Sequence, residues 1–403
     1  MSAGTDTRVS AHGIGEMLKE LGRKLAQGEA GPLLVLLMVG AIWTFFQLQN
    51  DRFLSAGNLT NLMLQQAAVA TISIGVVLIL LLGEIDLSVG AVSGLCASVM
   101  AVLVVSRGVS PVLAVLAALG LGATIGLFNG FMITRFQIPS FVVTLAGSLA
   151  WVGFQLLVLG RTGTINLADK FIIGLTYTYF PPLMGWFAAV AAIALTLGFA
   201  LLGRAHRKAA GLKVGSMQGL IFRVGAIGAA FVAMIVVVNQ DRGLPLVVFI
   251  VFALALAFAY LTEHTRFGRH VFAVGGNAEA ARRAGIKIDH VRIIVFMLGS
   301  TLAAAGGILA SSRLMAVNQS SGSSDLLLMA IAGPVIAGTS LFGGRGTVWS
   351  ALLGAVVIGS IANGMNLLAF ASSVKFIVTG AVLITAVTIE SMTRMRRQGE
   401  ASR

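Results

Sequence analysis

Long apolar runs without charges recur along the chain, and they restrict its possible folds more than any other feature. Five of them reach at least the roughly 20 residues that a helix needs to cross a bilayer, at 87–106, 108–134, 136–160, 171–203 and 243–262. Backbone polar groups in lipid are satisfied only by helices or closed barrels, and these continuous runs lack the alternation of barrel strands. The sequence therefore predicts an all-α polytopic membrane protein, a transmembrane helical bundle.

Twelve transmembrane helices are predicted from the apolar runs and the polar segments between them. They divide the chain into a polar N-terminal segment (1–30), a transmembrane domain (31–390) and a basic C-terminal tail (391–403). Two carboxylates interrupt the hairpin at 66–106, and Lys375 has to snorkel from one end of the last helix. The predicted spans are 31–48, 66–83, 87–106, 111–134, 138–160, 183–203, 219–239, 243–262, 291–312, 326–342, 346–369 and 372–390.

The basic residues predict the orientation of these spans. Cytoplasmic loops of membrane proteins carry an excess of Lys and Arg, and the twelve-helix register puts most of the 28 basic residues on the side of both termini, which are therefore expected in the cytoplasm. The net charge of +13 also favours contact with anionic lipid headgroups. Because the basic residues are spread over many short loops, no nucleic-acid role is expected. The seven on the other side are Arg52, Arg107, Arg161, Lys170, Arg242, Arg313 and Lys375.

Several sequence features argue against catalysis by this chain. Cys96 is the only cysteine, which excludes an intrachain disulfide and a multi-cysteine metal site. The segment 338–346, GTSLFGGRG, is superficially similar to a phosphate loop but lacks its Lys-Ser/Thr ending, so Gly343 and Gly344 are assigned to a structural turn. We expect no catalytic site, no metal and no cofactor. A membrane chain with no nucleotide site of its own either couples to an ion gradient or takes its energy from a partner.

The basic, polar segment 267–286 is predicted to form a short helix between two membrane spans. Asn277 can cap its beginning, where Glu279 suits the positive end of the helix. Arg282 and Arg283 suit its negative end, and Gly285 can end it in the left-handed conformation. Glu279 and Arg283 also form an i,i+4 pair. The sequence thus indicates a short, autonomous helix, with an ordinary interfacial loop as the alternative.

Four motifs in fixed order resemble those of one known family. The resemblance is to the membrane subunits of ABC-type monosaccharide importers, the ribose/xylose/galactose permease family, and it runs over about 50–390. It is strongest to the xylose-type permease, because 183–239 looks like the inserted hairpin of that longer subgroup. The motifs are EIDLSVG at 84–90, PSFVVTLAG at 139–147, RFGRHVFAVGGNAEAARRAGI at 266–286 and AGTSLFGGRGT at 337–347.

This resemblance implies a multi-pass, homodimeric permease in the bacterial inner membrane. A periplasmic sugar-binding protein would deliver the substrate, and a separate cytoplasmic ATP-binding subunit would supply the energy. The run 326–329 lacks the acidic residues that family members often carry there, which leaves the identity of the sugar open. The alternative function is a proton-coupled secondary sugar transporter. The resemblance assigns ATPase coupling to the loop 263–290, specifically to Gly275, Gly276, Asn277, Glu279, Arg282, Arg283 and Gly285.

Polar residues on the fifth predicted helix suggest a route for a sugar. Four of them, spaced i, i+4, i+7 and i+11, share one helix face. Hydroxyl and amide groups can exchange hydrogen bonds with a sugar, and an indole offers a flat apolar surface. Helix packing by small and polar residues is the alternative, and it applies equally to two asparagines on the fourth and eleventh helices. The candidate pathway residues are Thr144, Ser148, Trp151, Gln155, Asn129 and Asn363.

Glu84 and Asp86 are the costliest groups in the sequence, because carboxylates near a membrane span need a partner, water or a proton. Proton coupling is one interpretation of this pair. The other is a structural turn in which Asp86 caps the helix beginning near Leu87. We assign both residues to the turn.

Overall fold

The computed structural model describes residues 31–209, 211 and 217–401, so the predicted N-terminal segment 1–30 and Lys213 lie outside the described residues. Helices dominate the structure, with four very short strands. The helices are α1 (Gly31–Gln49), α2 (Ala56–Leu81), α3 (Val89–Ala101, continued by a π-helix at Val102–Ser106), α4 (Pro111–Phe136), α5 (Ser140–Leu159), α6 (Lys170–Tyr177), α7 (Pro182–Ala209), α8 (Met217–Asn239), α9 (Leu246–His264), α10 (Arg266–Gly276), α11 (Ala278–Arg283), α12 (Ile288–Leu314), α13 (Ser324–Ile336), α14 (Trp349–Leu367) and α15 (Ser372–Ala401). The strands are β1 (Thr164–Asn166), β2 (Tyr179–Phe180), β3 (Leu244–Pro245) and β4 (Ala316–Asn318).

The predicted all-α polytopic architecture is confirmed. Each predicted span overlaps one of the longer helices. Of the described helices, eight are long and apolar enough to cross a membrane, and four others contain shorter apolar stretches. The count of twelve spans therefore stays a prediction. The eight are Ala56–Leu81, Val89–Ser106, Pro111–Phe136, Ser140–Thr162, Pro182–Ala209, Leu246–His264, Ile288–Leu314 and Trp349–Leu367.

Four predicted span ends differ from the observed helix ends by six residues or more, and two of the four are the end of α7 at Ala209 rather than at 203 and the end of α15 at Ala401 rather than at 390. Helix α2 begins at Ala56 rather than at 66, because Ser55 accepts a hydrogen bond from the Asn58 backbone N–H and caps it there. Helix α13 ends at Ile336 rather than at 342. Its 13 residues, at about 1.5 Å each, extend only about 20 Å, too short for a hydrocarbon core about 30 Å thick. Helix α13 is therefore a half-helix, followed by the glycine-rich loop 337–348.

The core of the bundle is built on α2, which is almost wholly buried. It packs against α12, and α12 packs in turn against α4. Glycines allow both contacts: a Cβ at Gly75 would lie 2.8 Å from the Gly299 oxygen, and a Cβ at Gly126 would lie 2.3 Å from the Phe296 oxygen. Small residues of this kind let membrane helices approach closely. Helices α7 and α8 pack mainly against each other at the edge.

The alternating helices sort the loops onto two ends of the bundle. One end, which we call the motif end, carries the loops 82–88, 137–139, 265–287 and 337–348. The other, the opposite end, carries two antiparallel ribbons in which β1 pairs with β4 and β2 pairs with β3. Within the residues that the structure describes, these ribbons are the one small departure from an all-α fold. All four sequence motifs therefore reach the same end, although they are far apart in the chain.

Candidate functional site

The loop 82–88 between α2 and α3, which we call the hub loop, contacts the second motif directly. The Ile85 backbone N–H donates to Ser140 Oγ over 3.3 Å, and the Leu87 N–H donates to Thr144 Oγ1 over 3.0 Å. Both acceptors lie in the first two turns of α5. Side chains of α5 thus accept hydrogen bonds from two partly buried backbone donors of the hub loop, so a movement of the loop also moves that helix.

The third and fourth motifs meet the end of α2 backbone to backbone. The Gly344 N–H donates to the Leu81 oxygen over 2.9 Å. A Cβ at Gly275 would lie 1.8 Å from the same oxygen, and a Cβ at Gly343 would lie 2.6 Å from the Gly275 oxygen. We call this contact, formed by 81–83, 275–276 and 342–344, the glycine junction. Gly343 and Gly344 also have positive φ angles, which glycine adopts without strain.

Glu84 of the hub loop forms an ion pair with Arg292 on α12, with 2.9 Å between Oε1 and the guanidinium nitrogen. The two side chains are only 14% and 25% exposed, respectively. A carboxylate taken out of water in this way needs a partner. Sequence reasoning did not identify Arg292. The sequence did contain one signal for Arg292, because a cation in the second turn of a membrane helix also needs a partner.

Asp86 is 4% exposed and does not cap α3, so that prediction was wrong. Helix α3 begins at Val89 with Ser88 at its N-cap and without a side-chain cap bond. Asp86 Oδ1 instead accepts hydrogen bonds from Ser88 N and Ser88 Oγ over 2.7 and 2.6 Å. Burial raises the pKa of the Asp86 carboxyl, against the lowering effect of the two Ser88 hydrogen bonds. The chain thus carries a buried carboxyl in the loop between two spans.

The predicted helix of the polar segment is confirmed as α11, with its caps. Asn277 Oδ1 accepts a hydrogen bond from Ala280 N over 2.9 Å, and Arg283 Nε lies 3.3 Å from Glu279 Oε1. Gly285 has a φ of 84°. The Gly285 N–H donates to the Arg282 oxygen, and the Ile286 N–H donates to the Ala281 oxygen. These two bonds form a Schellman motif.

The prediction that this helix is autonomous was wrong, because a second helix, α10, precedes it and docks both onto the bundle. Val271, Val274 and Ala281 are buried in the core that includes α2 and α12. A Cβ at Gly268 would lie 1.9 Å from the Thr262 oxygen. The outer side of α10 and α11, the coupling surface, is exposed and mainly basic, with Arg266, Arg269, His270, Arg282, Arg283 and Lys287 next to Glu279.

The four candidate pathway residues of α5 share its inward side. Thr144 and Gln155 are buried and Ser148 and Trp151 are half-buried, while most of the rest of α5 is exposed. Gln155 Nε2 donates to the Asn318 and Ser321 oxygens, both over 3.0 Å. A Cβ at Gly94 would lie 2.1 Å from the Ser321 oxygen. Near Gln155 this face is therefore closed by tight packing.

The two candidate asparagines lie in different places. Asn129 on α4 is buried and its Nδ2 donates to Ser88 Oγ over 3.3 Å, which brings it to the hub loop and to α5. Asn363 on α14 exchanges two side-chain hydrogen bonds with Asn58 on α2, over 2.8 and 3.1 Å. The structure therefore brings Asn129 together with the α5 face and ties Asn363 into a separate helix contact.

Comparison with known proteins identifies the family to which this helical membrane bundle belongs. A family model described as "Branched-chain amino acid transport system / permease component" matches residues 58–387. The chain therefore belongs to this family of permease components, and it is the transmembrane permease subunit of an ABC-type importer. The resemblance inferred from the four motifs is confirmed.

Individual relatives cover most of the chain. The xylose transport system permease protein XylH of Escherichia coli K12 is 34% identical over 357 residues, which are 88% of this chain and 90% of that protein. XylH of Haemophilus influenzae is 33% identical over 372 residues, with coverage of 90% and 96%. The ribose import permease protein RbsC of Bacillus subtilis is 31% identical over 360 residues, with coverage of 89% and 92%. No solved structure matches the chain.

Proposed function

We propose that this chain forms the translocation pathway of an ATP-driven importer of monosaccharides of the xylose type, powered by a separate ATP-binding subunit. One observation carries the proposal: all four motifs converge on the hub loop and the glycine junction. This arrangement links the coupling surface to the polar face of α5 through direct contacts. The xylose and ribose permeases among the relatives support a sugar as substrate.

The route of coupling follows from these contacts. A partner that binds α10 and α11 and moves them also displaces Gly275 and Gly276. The backbone of these two glycines is packed against Leu81 and Gly344. Glycine-to-glycine packing leaves no flexible side chains to absorb the displacement. The motion therefore reaches the hub loop, which holds α5 through Ser140 and Thr144 and holds α12 through the Glu84 ion pair with Arg292.

The motif end faces the cytoplasm of the bacterial cell in this proposal, with both termini inside and the chain in the inner membrane. The excess of basic residues on this side supports that orientation. The coupling surface then meets an acidic groove of the ATP-binding subunit. Labelling of single cysteines in a Cys96→Ala background tests the orientation. In intact cells Thr164→Cys should react with an impermeant reagent and Ala209→Cys should not, and the reverse pattern would invert the topology.

The opposite end receives the sugar from a periplasmic sugar-binding protein. An open groove of about 370 Å³ lies there between the loop after α5 and the turn after β4, lined by hydroxyl, amide and glycine groups without charges. Uncharged hydrogen-bonding groups suit a neutral sugar. The motif resemblance further implies that two copies of the chain form the permease within the lipid bilayer. The lining residues are Thr162, Gly163, Thr164, Asn318, Gln319 and Ser320.

Reconstitution into proteoliposomes tests the function. The permease, the ATP-binding subunit and the sugar-binding protein are combined, and uptake of radiolabelled xylose and ribose is measured with and without ATP. We expect uptake to need ATP and both partners, and to survive a protonophore. Uptake by the permease alone, driven by a proton gradient, would instead support the secondary-transporter alternative.

A further inference from the structure

Two buried polar atoms without a hydrogen-bond partner lie at one place between α4 and α5. They are Asn129 Oδ1 and Trp151 Nε1, two of only a few such atoms in the part of the chain that the structure describes. A Cβ placed on Gly147 would lie 3.7 Å from the first and 3.0 Å from the second. Buried polar groups are nearly always paired, so a complementary donor and acceptor left open around the same glycine call for an explanation.

The orientation of the Asn129 amide is determined by the hub loop. Ser88 Oγ donates its proton to Asp86 Oδ1 over 2.6 Å. The same oxygen can then only accept a hydrogen bond from Asn129, which must turn its NH₂ group toward it. This leaves the Asn129 carbonyl oxygen as an acceptor beside the Trp151 N–H donor. Through Ser88, the pair is connected to the loop that the coupling helices contact.

We infer that Asn129 Oδ1 and Trp151 Nε1 bind one hydroxyl group of the transported sugar, an inference that rests on the proposed function. A hydroxyl accepts from the indole N–H and donates to the amide oxygen at the same time. A carboxylate only accepts and an ammonium group only donates, so neither satisfies both atoms. The pair therefore favours a neutral group that both donates and accepts a hydrogen bond, as a sugar hydroxyl does.

The surroundings of the pair suit a sugar as well. Gly147 has no side chain, so the backbone of α5 comes close to both polar atoms. The Trp151 ring stacks on Phe154 and meets Phe128 edge-on, with ring centroids 5.9 and 6.1 Å apart. Both phenylalanines are about half exposed, so the aromatic group borders the outer side of α4 and α5. Apolar aromatic faces next to a hydrogen-bond donor and acceptor suit a sugar, whose ring carries both apolar C–H groups and polar hydroxyls.

The test uses the complete reconstituted transporter with sugar-binding protein saturated with xylose, so that capture from solution is not limiting. Trp151→Phe removes the N–H donor and keeps an aromatic ring. We expect about 2- to 10-fold less xylose moved per ATP hydrolysed, the factor that corresponds to one neutral hydrogen bond. ATP hydrolysis stimulated by the binding protein should stay near normal. Trp43→Phe, which removes a Trp43 Nε1 bond to Ser360 Oγ, is the matched control and should keep the normal ratio.

A steric variant provides a second, independent measurement. Gly147→Ala places a methyl group against both atoms and should lower the ratio of xylose to ATP in the same way. Gly153→Ala on the same helix meets nothing within 4 Å and should not. Trp151→Phe could instead lower the melting temperature and leave the amount of xylose moved per ATP hydrolysed unchanged. That result would show that Asn129 and Trp151 hold only a structural water, and it would overturn the inference. If the unmodified transporter moves no monosaccharide, the proposed function itself fails.

Discussion

The glycine junction makes a sharp prediction about Gly275. In Gly275→Ala, the new Cβ would lie 1.8 Å from the Leu81 oxygen, whereas ordinary van der Waals contacts are 3.4–4 Å. Both atoms are held by helix backbone, so α10 and α2 have to separate by at least about 1.6 Å, the difference between 3.4 and 1.8 Å. The same displacement strains the hydrogen bond from Gly344 N–H to the Leu81 oxygen.

The cost follows from these two effects. Overpacking a close contact costs about 1–3 kcal/mol, and losing one backbone hydrogen bond costs about 0.5–1.5 kcal/mol. Against these costs, alanine is more favourable than glycine inside a helix and stabilises it by up to about 1 kcal/mol. We therefore expect Gly275→Ala to lower the free energy of unfolding by about 0.5–4.5 kcal/mol.

Thermal unfolding of the purified permease in detergent measures this change without the ATP-binding subunit. Gly276→Ala is the matched control, because it is the next residue of the same helix and its Cβ would meet nothing within 4 Å. Gly275→Ala should melt at a lower temperature than the wild type, and Gly276→Ala should not. Equal melting temperatures for both variants and the wild type would refute the close packing at the junction.

Three further predictions concern charged groups. Glu84→Gln and Arg292→Gln should each destabilise the permease by about 1–3 kcal/mol, which is less than the loss of one partner from a fully buried pair. The double variant Glu84→Arg with Arg292→Glu restores opposite charges and should recover part of the lost melting temperature. No recovery would argue against the ion pair. The double variant Arg282→Glu with Arg283→Glu changes exposed residues, so it should alter the stability of the permease by no more than about 0.5 kcal/mol. It should nevertheless weaken co-purification of the ATP-binding subunit. Wild-type sugar uptake by this double variant would show that the two arginines have no role in coupling. Because burial raises the pKa of Asp86 above its ordinary value of 3.8, the folded state favours the protonated form, and wild-type stability should fall as the pH rises from about 4 through the raised pKa. Asp86→Asn should reduce that slope in melting curves recorded across this range, and an unchanged slope would contradict the assignment.

The sequence alone determined the features that depend on neighbouring residues. Uncharged runs longer than a bilayer is thick predicted the helical bundle, because lipid offers the backbone no other partner. The ends of α11 were also predictable, since Asn277 and Gly285 act on backbone groups within a few residues. Four motifs in order identified the family.

Tertiary structure alone decided how these parts meet. Glu84 finds Arg292, and Gly344 finds Leu81, across more than 200 residues of chain, and no local pattern encodes such partners. Helix α10 was not predicted because it has only 11 residues, and its apolar side is buried only by docking on α2 and α12. The end of α13 at Ile336 was, in contrast, a local signal in the sequence, because the left-handed Gly338 ends this helix in the same way as Gly285 ends α11. Local propensity selects helices and caps, whereas burial and partner geometry depend on the whole fold.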